Sequence, residues 1–162
     1  MSKETVKTIE ERLKEFETLC RSKGLKITPQ RLGVFRVLLE SKEHPTAEEV
    51  YRQVRREMPS ISLDTVNRTL NTLLQIGAAF LVEGTGQPKR YDGGLEDHQH
   101  FRCLRCGTII DFQYEPFETI EIPSCLADQC TVLRKSVYFE GICKRCLEQK
   151  EQLEEGRSAV CQ

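Results

Sequence analysis

The chain has 162 residues, 38% of them hydrophobic and 30% charged, with a net charge of −1. This leaves room for one large domain or two small ones, and the near-neutral balance argues against a wholly basic nucleic-acid binder. No apolar run reaches the roughly 18 residues of a membrane-spanning helix, and the opening MSKETVKTIEERLKEF lacks the apolar stretch of an export signal, so a cytoplasmic protein with no membrane role is expected.

The charge is unevenly spread. Residues 1–92 hold 16 Lys/Arg against 13 Asp/Glu, and residues 93–162 hold 8 against 12. The first half opens with an amphipathic stretch over 5–23, where Val6, Ile9, Leu13, Phe16 and Leu19 keep helical spacing before Gly24 stops it. Thr28-Pro29 is an N-cap with proline at the first helical position, and Leu32, Phe35, Leu38 and Leu39 form the inner face that follows. His44-Pro45 breaks this helix. Thr46 with Glu49 is a capping box for a third helix facing inward through Val50, Tyr51 and Val54. Ser62 caps a fourth, 63–75, with Val66, Leu70, Leu73 and Leu74 inward and Gly77 as its stop. Two short β-like runs, 79–83 and 89–91, flank the turn-rich segment 84–88.

Helices followed by a β-hairpin make a winged-helix pattern, in which the 63–75 helix would enter a major groove. Its outward side chains are Asp64, Asn67, Arg68, Asn71 and Thr72, with Thr65 in its first turn. Asparagine and arginine suit bidentate reading of adenine and guanine edges. Arg52, Arg55, Arg56, Lys89 and Arg90 would supply phosphate contacts. The same periodicity also fits a plain helical domain with a solvated polar face.

Beyond the joint Gly93-Gly94 the character changes to α+β: strands over 99–104 and 108–113, a helix over 117–128 containing Pro123, a strand over 132–139 and a terminal helix over 144–153. The eight cysteines include two C-x-x-C pairs, Cys103/Cys106 and Cys143/Cys146. With no export signal, paired C-x-x-C units read as a tetrahedral four-thiolate zinc site, here a structural staple between distant segments. A redox dithiol is the rival, but such a motif occurs once rather than as two similar knuckles. Cys20, Cys125, Cys130 and Cys161 share no ligand spacing and read as idle thiols. His98 and His100 fall on one face of a strand, because side chains repeat every two residues. Asp92 lies just upstream, Asp111 on the paired strand, and His44 far away between two helices. Histidines with carboxylates suit Fe(II), Mn(II) or Zn(II).

Thr28-Pro29-Gln30-Arg31, the run from His44 to Tyr51, Thr65-Val66, Arg90-Tyr91-Asp92, His98-Gln99-His100-Phe101, Cys103-x-x-Cys106-Gly107 and Gly141-x-Cys143-x-x-Cys146 together resemble the ferric-uptake-regulator family, in order, over roughly 10–147. The resemblance implies a dimeric, metal-responsive repressor that binds double-stranded operator DNA. It would have a winged-helix DNA-binding domain over 1–92 and a metal-binding dimerisation domain over 93–162. It implies a regulatory Fe(II) or Mn(II) site on His44, Asp92, His98, His100 and Asp111, beside structural zinc on Cys103, Cys106, Cys143 and Cys146. Aspartate rather than glutamate at 92 and 111 is similar to the peroxide-responsive subclass, in which His44 and His100 match the positions that become oxidised. The sequence departs from the family at Arg134-Lys135-Ser136-Val137, where a histidine is usual, and at Asn67, where tyrosine is usual. A small non-haem iron enzyme and a zinc-stapled interaction module are the readings from other classes. The enzyme would leave a winged helix without a role, and operator binding that depends on added metal separates the regulator from both.

Overall fold

The computed structural model describes residues 7–82, 88–94, 98–117, 119–132 and 135–149. The chain divides into two compact units, residues 1–96 and 97–162.

The N-terminal unit is built on four capped helices. Helix α1, Ile9–Ser22, starts at Thr8, whose backbone N–H donates to Glu11 (2.7 Å) while Glu11 N–H donates back to the Thr8 hydroxyl (3.2 Å). This cap fixes the start of a helix expected from residue 5; residues 5 and 6 lie outside the described residues. Helix α2, Pro29–Glu40, begins on Thr28, and α4, Leu63–Gln75, on Ser62. Helix α3, Ala47–Glu57, carries the full box between Thr46 and Glu49. The inner faces meet in one core: Phe16 and Phe35 lie with ring centroids 4.2 Å apart, packed in one cluster with Val34, Val50, Val66, Leu70 and Leu73. Strands β1, Phe80–Leu81, and β2, Tyr91–Asp92, pair antiparallel, with Phe80 opposite Asp92. They are shorter than the expected runs and the second is displaced to include Asp92. Pro88 has no N–H to give a ladder, and pairing begins where Val82 N–H donates to Arg90 (3.0 Å). The segment 83–87 lies outside the described residues.

The C-terminal unit is a three-stranded sheet in the order β4-β3-β5. Strand β3, Gln99–Cys103, runs antiparallel to β4, Ile109–Phe112, and parallel to β5, Tyr138–Gly141. The single helix expected over 117–128 is instead a 3-10 turn, Glu115–Phe117, and a four-residue helix α5, Ser124–Ala127. Pro123 is the reason: it cannot continue a hydrogen-bonded helix but is tolerated at a start, and it is the N-cap of α5. Regular pairing on the last strand runs over Tyr138–Gly141 rather than 132–139; residues 133 and 134 lie outside the described residues. Residues 144–149 are helical, and the expected remainder of that helix, 150–153, is likewise outside.

Candidate metal centres and nucleic-acid interface

The four cysteines of the two C-x-x-C pairs converge. Strand β3 delivers Cys103 and the following knuckle Cys106. Gly107, at φ +72°, makes the left-handed turn there that a Cβ would strain. The knuckle closes through Gly107 N–H to Cys103 carbonyl and Cys103 N–H to Thr108 carbonyl, both 2.9 Å. Parallel pairing places Gly141 opposite Cys103, so the chain leaving β5 brings Cys143 and Cys146 to the same point. The four sulfurs all lie within 4.8 Å of one another, and those of Cys106 and Cys143 are 3.7 Å apart. A tetrahedron with metal–sulfur bonds of ~2.3 Å has edges of about 3.8 Å, so the donor set fits zinc in type and spacing.

The electrostatics agree. The hydroxyl and backbone of Thr108 hold the Cys106 thiol down to about 5. Backbone N–H groups of Cys143 and Cys106 lower Cys103 as well. Burial, then the crowding of Cys106, Cys143 and Cys103, pushes Cys146 up to about 12. Four thiols packed this closely cannot all ionise by themselves, and a divalent cation resolves that conflict. Arg145, beside Cys106, is held more firmly protonated by the thiolate. Cys20 is buried in α1 and burial raises its thiol; Cys125 and Cys130 are exposed, and Cys161 is outside the described residues.

Within each unit a histidine stands beside an aspartate among the remaining candidate ligands. In the N-terminal unit, His44 Nε2 lies 3.9 Å from Asp92 Oδ1, both buried. His44 has φ +50°, a left-handed conformation uncommon outside glycine. Its loop is stitched to β2 on both sides. Tyr91 N–H donates to the Pro45 carbonyl (3.1 Å), Thr46 bridges to Arg90, and Arg90 Nη1 donates to the His44 carbonyl (2.9 Å). Strain at one residue persists where the surroundings over-determine it.

In the C-terminal unit the antiparallel register sets His100 opposite Asp111, with Nε2 and Oδ1 3.6 Å apart. His98, just before β3, has its ring 4.7 Å from that of His100 in an edge-on arrangement, so the two imidazoles share a side of the strand. Gln99, between them, is buried and accepts from Tyr114 N–H (2.9 Å).

The candidate DNA contacts all belong to the N-terminal unit. Arg52 and Arg56 are exposed on α3, and Asp64, Arg68 and Asn71 on α4. Thr65 and Asn67 are half-buried; Asn67 Nδ2 donates to the Leu63 carbonyl (3.1 Å) one turn back. Lys89 is exposed beside the hairpin. Arg90, expected from sequence among the phosphate contacts, is turned instead into the His44 loop, where it also lies 3.6 Å from Glu49 Oε2. A basic side chain adjacent to Lys89 carries no sequence mark of that inward role; only the partner loop reveals it. Lys135, within the departure from the family pattern, donates to the Phe117 carbonyl (3.1 Å) and lies over the Phe117 ring.

Residues 22–139 match the model of the Ferric uptake regulator family. Over 141 residues the chain is 33% identical to the peroxide-responsive repressor PerR of Staphylococcus aureus, a stretch spanning 87% of this chain and 95% of that protein. Among solved structures it is similar to the Helicobacter pylori ferric uptake regulator Fur, with its three functional metal binding sites, at a TM-score of 0.69 and 28% identity, covering 88% of this chain and 95% of that one. It is also similar to a zinc uptake regulator complexed with zinc and DNA, at a TM-score of 0.65 and 27% identity, covering 90% and 99%.

Proposed function

Because this chain belongs to the ferric uptake regulator family, whose members are metal-responsive transcriptional repressors, we propose that it is a cytoplasmic, homodimeric repressor that releases operator DNA when peroxide oxidises a bound Fe(II) site. In this reading His44 and Asp92 are ligands from the N-terminal unit, and His98, His100 and Asp111 are ligands from the C-terminal unit. Zinc belongs to Cys103, Cys106, Cys143 and Cys146. The observation that carries the proposal is the pair of imidazole–aspartate couples, His44 with Asp92 and His100 with Asp111. Each offers one nitrogen and one short carboxylate, a donor set suited to Fe(II) or Mn(II).

The residues act in three ways. A metal ion held by ligands from both sides of Gly93-Gly94 would favour one arrangement of the DNA-binding units over others. In a dimer that arrangement sets the separation of the two α4 helices, which must match half-sites about one helical turn apart. Arg52, Arg56 and Lys89 position the protein on phosphates, while Asp64, Thr65, Asn67, Arg68 and Asn71 face the bases. Iron, when bound, supplies the one-electron chemistry that activates peroxide beside the imidazoles. The net change is one C–H of His44 or His100 becoming C–OH, with peroxide reduced to water. An imidazole altered in this way would lose ligand strength, and His44 or His100 would no longer hold the ion.

The test compares Fe(II)- and Mn(II)-loaded protein on DNA before and after peroxide. The iron form is expected to lose DNA and to gain the mass of one oxygen on the peptide carrying His44 or that carrying His100, and the manganese form to persist. Asp111→Glu should retain metal-dependent binding and blunt the response. Full recovery of DNA binding with a dithiol would point to thiol oxidation and overturn the histidine route. Iron-loaded protein indifferent to peroxide would mark the iron-uptake type of control instead.

A further inference from the structure

Helix α4 carries an acidic side chain on the face that our proposed function turns towards DNA. Asp64 Oδ2 lies 3.1 Å from Arg68 Nε, one helical turn away, and both side chains are 75% exposed. A carboxylate is repelled by phosphate, so on a groove-facing helix it needs a base amino group to accept from. The ion pair is made through Nε of Arg68, so terminal Nη donors of the guanidinium remain for a second acceptor pair. Neighbouring Asn67 spends one of its two amide donors on the Leu63 carbonyl (3.1 Å), which turns its side chain back along the helix and leaves Asp64 and Arg68 the exposed pair of the first turns. Ser62 caps the helix through Thr65 N–H (3.1 Å) and its hydroxyl lies 2.9 Å from that of Thr65, which holds the first turn carrying Asp64.

From these observations we infer that Asp64 and Arg68 act as one reading unit for a G·C base pair in each half-site. The inference rests on α4 being the groove helix. The chemistry of the match is specific. In the major groove a G·C pair presents two acceptors, guanine N7 and O6, next to one donor, the cytosine amino group. The Asp64–Arg68 couple presents the complement: a guanidinium fork beside a carboxylate. An A·T pair instead places a donor, the adenine amino group, at the position of guanine O6 and an acceptor, thymine O4, at the position of the cytosine amino group. Arg68 is therefore the guanine reader. Asp64 both accepts from cytosine and fixes the side-chain direction of Arg68, so that the fork is not free to swing to a phosphate. The alternative role for Asp64 is purely structural, an acid in the first turn that complements the helix dipole.

The test uses the full-length, Mn(II)-loaded protein and a duplex library with a randomised core. Duplexes enriched by the wild type are then compared, by fluorescence anisotropy, with versions carrying single G·C to A·T changes. The inference expects one G·C position per half-site whose exchange weakens binding about tenfold or more. That preference should disappear in Asp64→Asn and in Arg68→Ala and return in Asp64→Glu. A purely structural Asp64 predicts instead that Asp64→Asn weakens binding to all duplexes equally with the base preferences unchanged, and this result overturns the inference while leaving DNA reading by α4 intact. Failure of the wild type to enrich any motif, with every metal tried, overturns the underlying DNA-binding proposal and the inference with it.

Discussion

Phe16, Phe35, Val50, Val66, Leu70 and Leu73 of the N-terminal unit are withdrawn almost completely from solvent, whereas the C-terminal residues withdrawn to the same degree, among those described, are Cys103 at 0% and Cys146 at 2%. The first unit coheres by burying apolar helix faces. The second leaves Ile110, Tyr114, Ile120, Phe139 and Leu147 exposed and gathers four thiols where a core would be. A unit of this size buries too little apolar surface to hold itself together and needs a metal, a partner or both. One chain thus joins a unit held by its own apolar core to one whose cohesion rests on four gathered thiols and on what covers its exposed apolar side chains.

The comparison breaks most visibly at the sulfurs. Structural zinc contributes roughly 10–16 kcal/mol in small zinc peptides. Cys103→Ser or Cys143→Ser should lose about one zinc per chain and unfold the C-terminal unit. The helical circular dichroism of the N-terminal unit should survive with its own melting transition. Metal analysis and thermal melts report both quantities; a zinc-free variant with unchanged melting would show that the second unit does not depend on the ion. The reciprocal change is smaller. Phe35→Ala removes a ring packed at a tilt against Phe16 in the closed core and should cost about 3–5 kcal/mol of N-terminal stability. Zinc content should stay intact, and simultaneous loss of zinc would contradict the independence of the two units.

A third change sharpens the role of the exposed apolar surface. Phe139 on β5 is 52% exposed and stacks on Phe112 at a centroid distance of 5.5 Å. If a second copy covers this surface, Phe139→Glu forfeits about 1.5–3 kcal/mol of burial per chain and places a charge in the interface. Sedimentation should shift from dimer towards monomer with the zinc retained. An unchanged dimer would assign the contact to another face.

The same contrast explains what could be read in advance. In the N-terminal unit, caps and periodicity are local, so Thr28-Pro29, Thr46 with Glu49, and Ser62 mark where α2, α3 and α4 begin. The winged-helix and α+β architecture and the convergence of the cysteine pairs were legible in this way, the latter because C-x-x-C spacing is itself a metal signature. In the C-terminal unit the deciding contacts are distant. Pairing of β5 with β3 sets Cys103 against Gly141 across most of the unit, and no local pattern near 132–139 reports that register. Pro123 divided a helix that the hydrophobic residues around it had suggested. The left-handed backbone at His44 and the inward turn of Arg90 are mutual consequences of one loop meeting one strand, which single-residue chemistry does not announce.

Acid distinguishes the two units with the smallest of these effects. Glu49 is held below its ordinary value of 4.5 first by the Thr46 backbone N–H, which donates to it, and burial only partly opposes this. A carboxyl depressed in the folded state adds stability that is complete above its unfolded value and disappears as the pH falls through the folded one. The contribution of Glu49 to the N-terminal unit should therefore be complete above its ordinary value and fade as the pH falls below it. In the C-terminal unit protons compete with the ion for four thiolates, so acid should release the ion and loosen that unit while the apolar core of the first still holds. Thr46→Ala removes the cap and should cost about 1 kcal/mol at neutral pH. Glu49→Gln keeps a capping side chain and should cost less, but it should flatten the fall of N-terminal stability below the ordinary glutamate range. Titration followed by zinc release and by far-ultraviolet circular dichroism separates the events. Helix loss at a higher pH than zinc release would reverse the assignment of which unit depends on its ligands and which on its core.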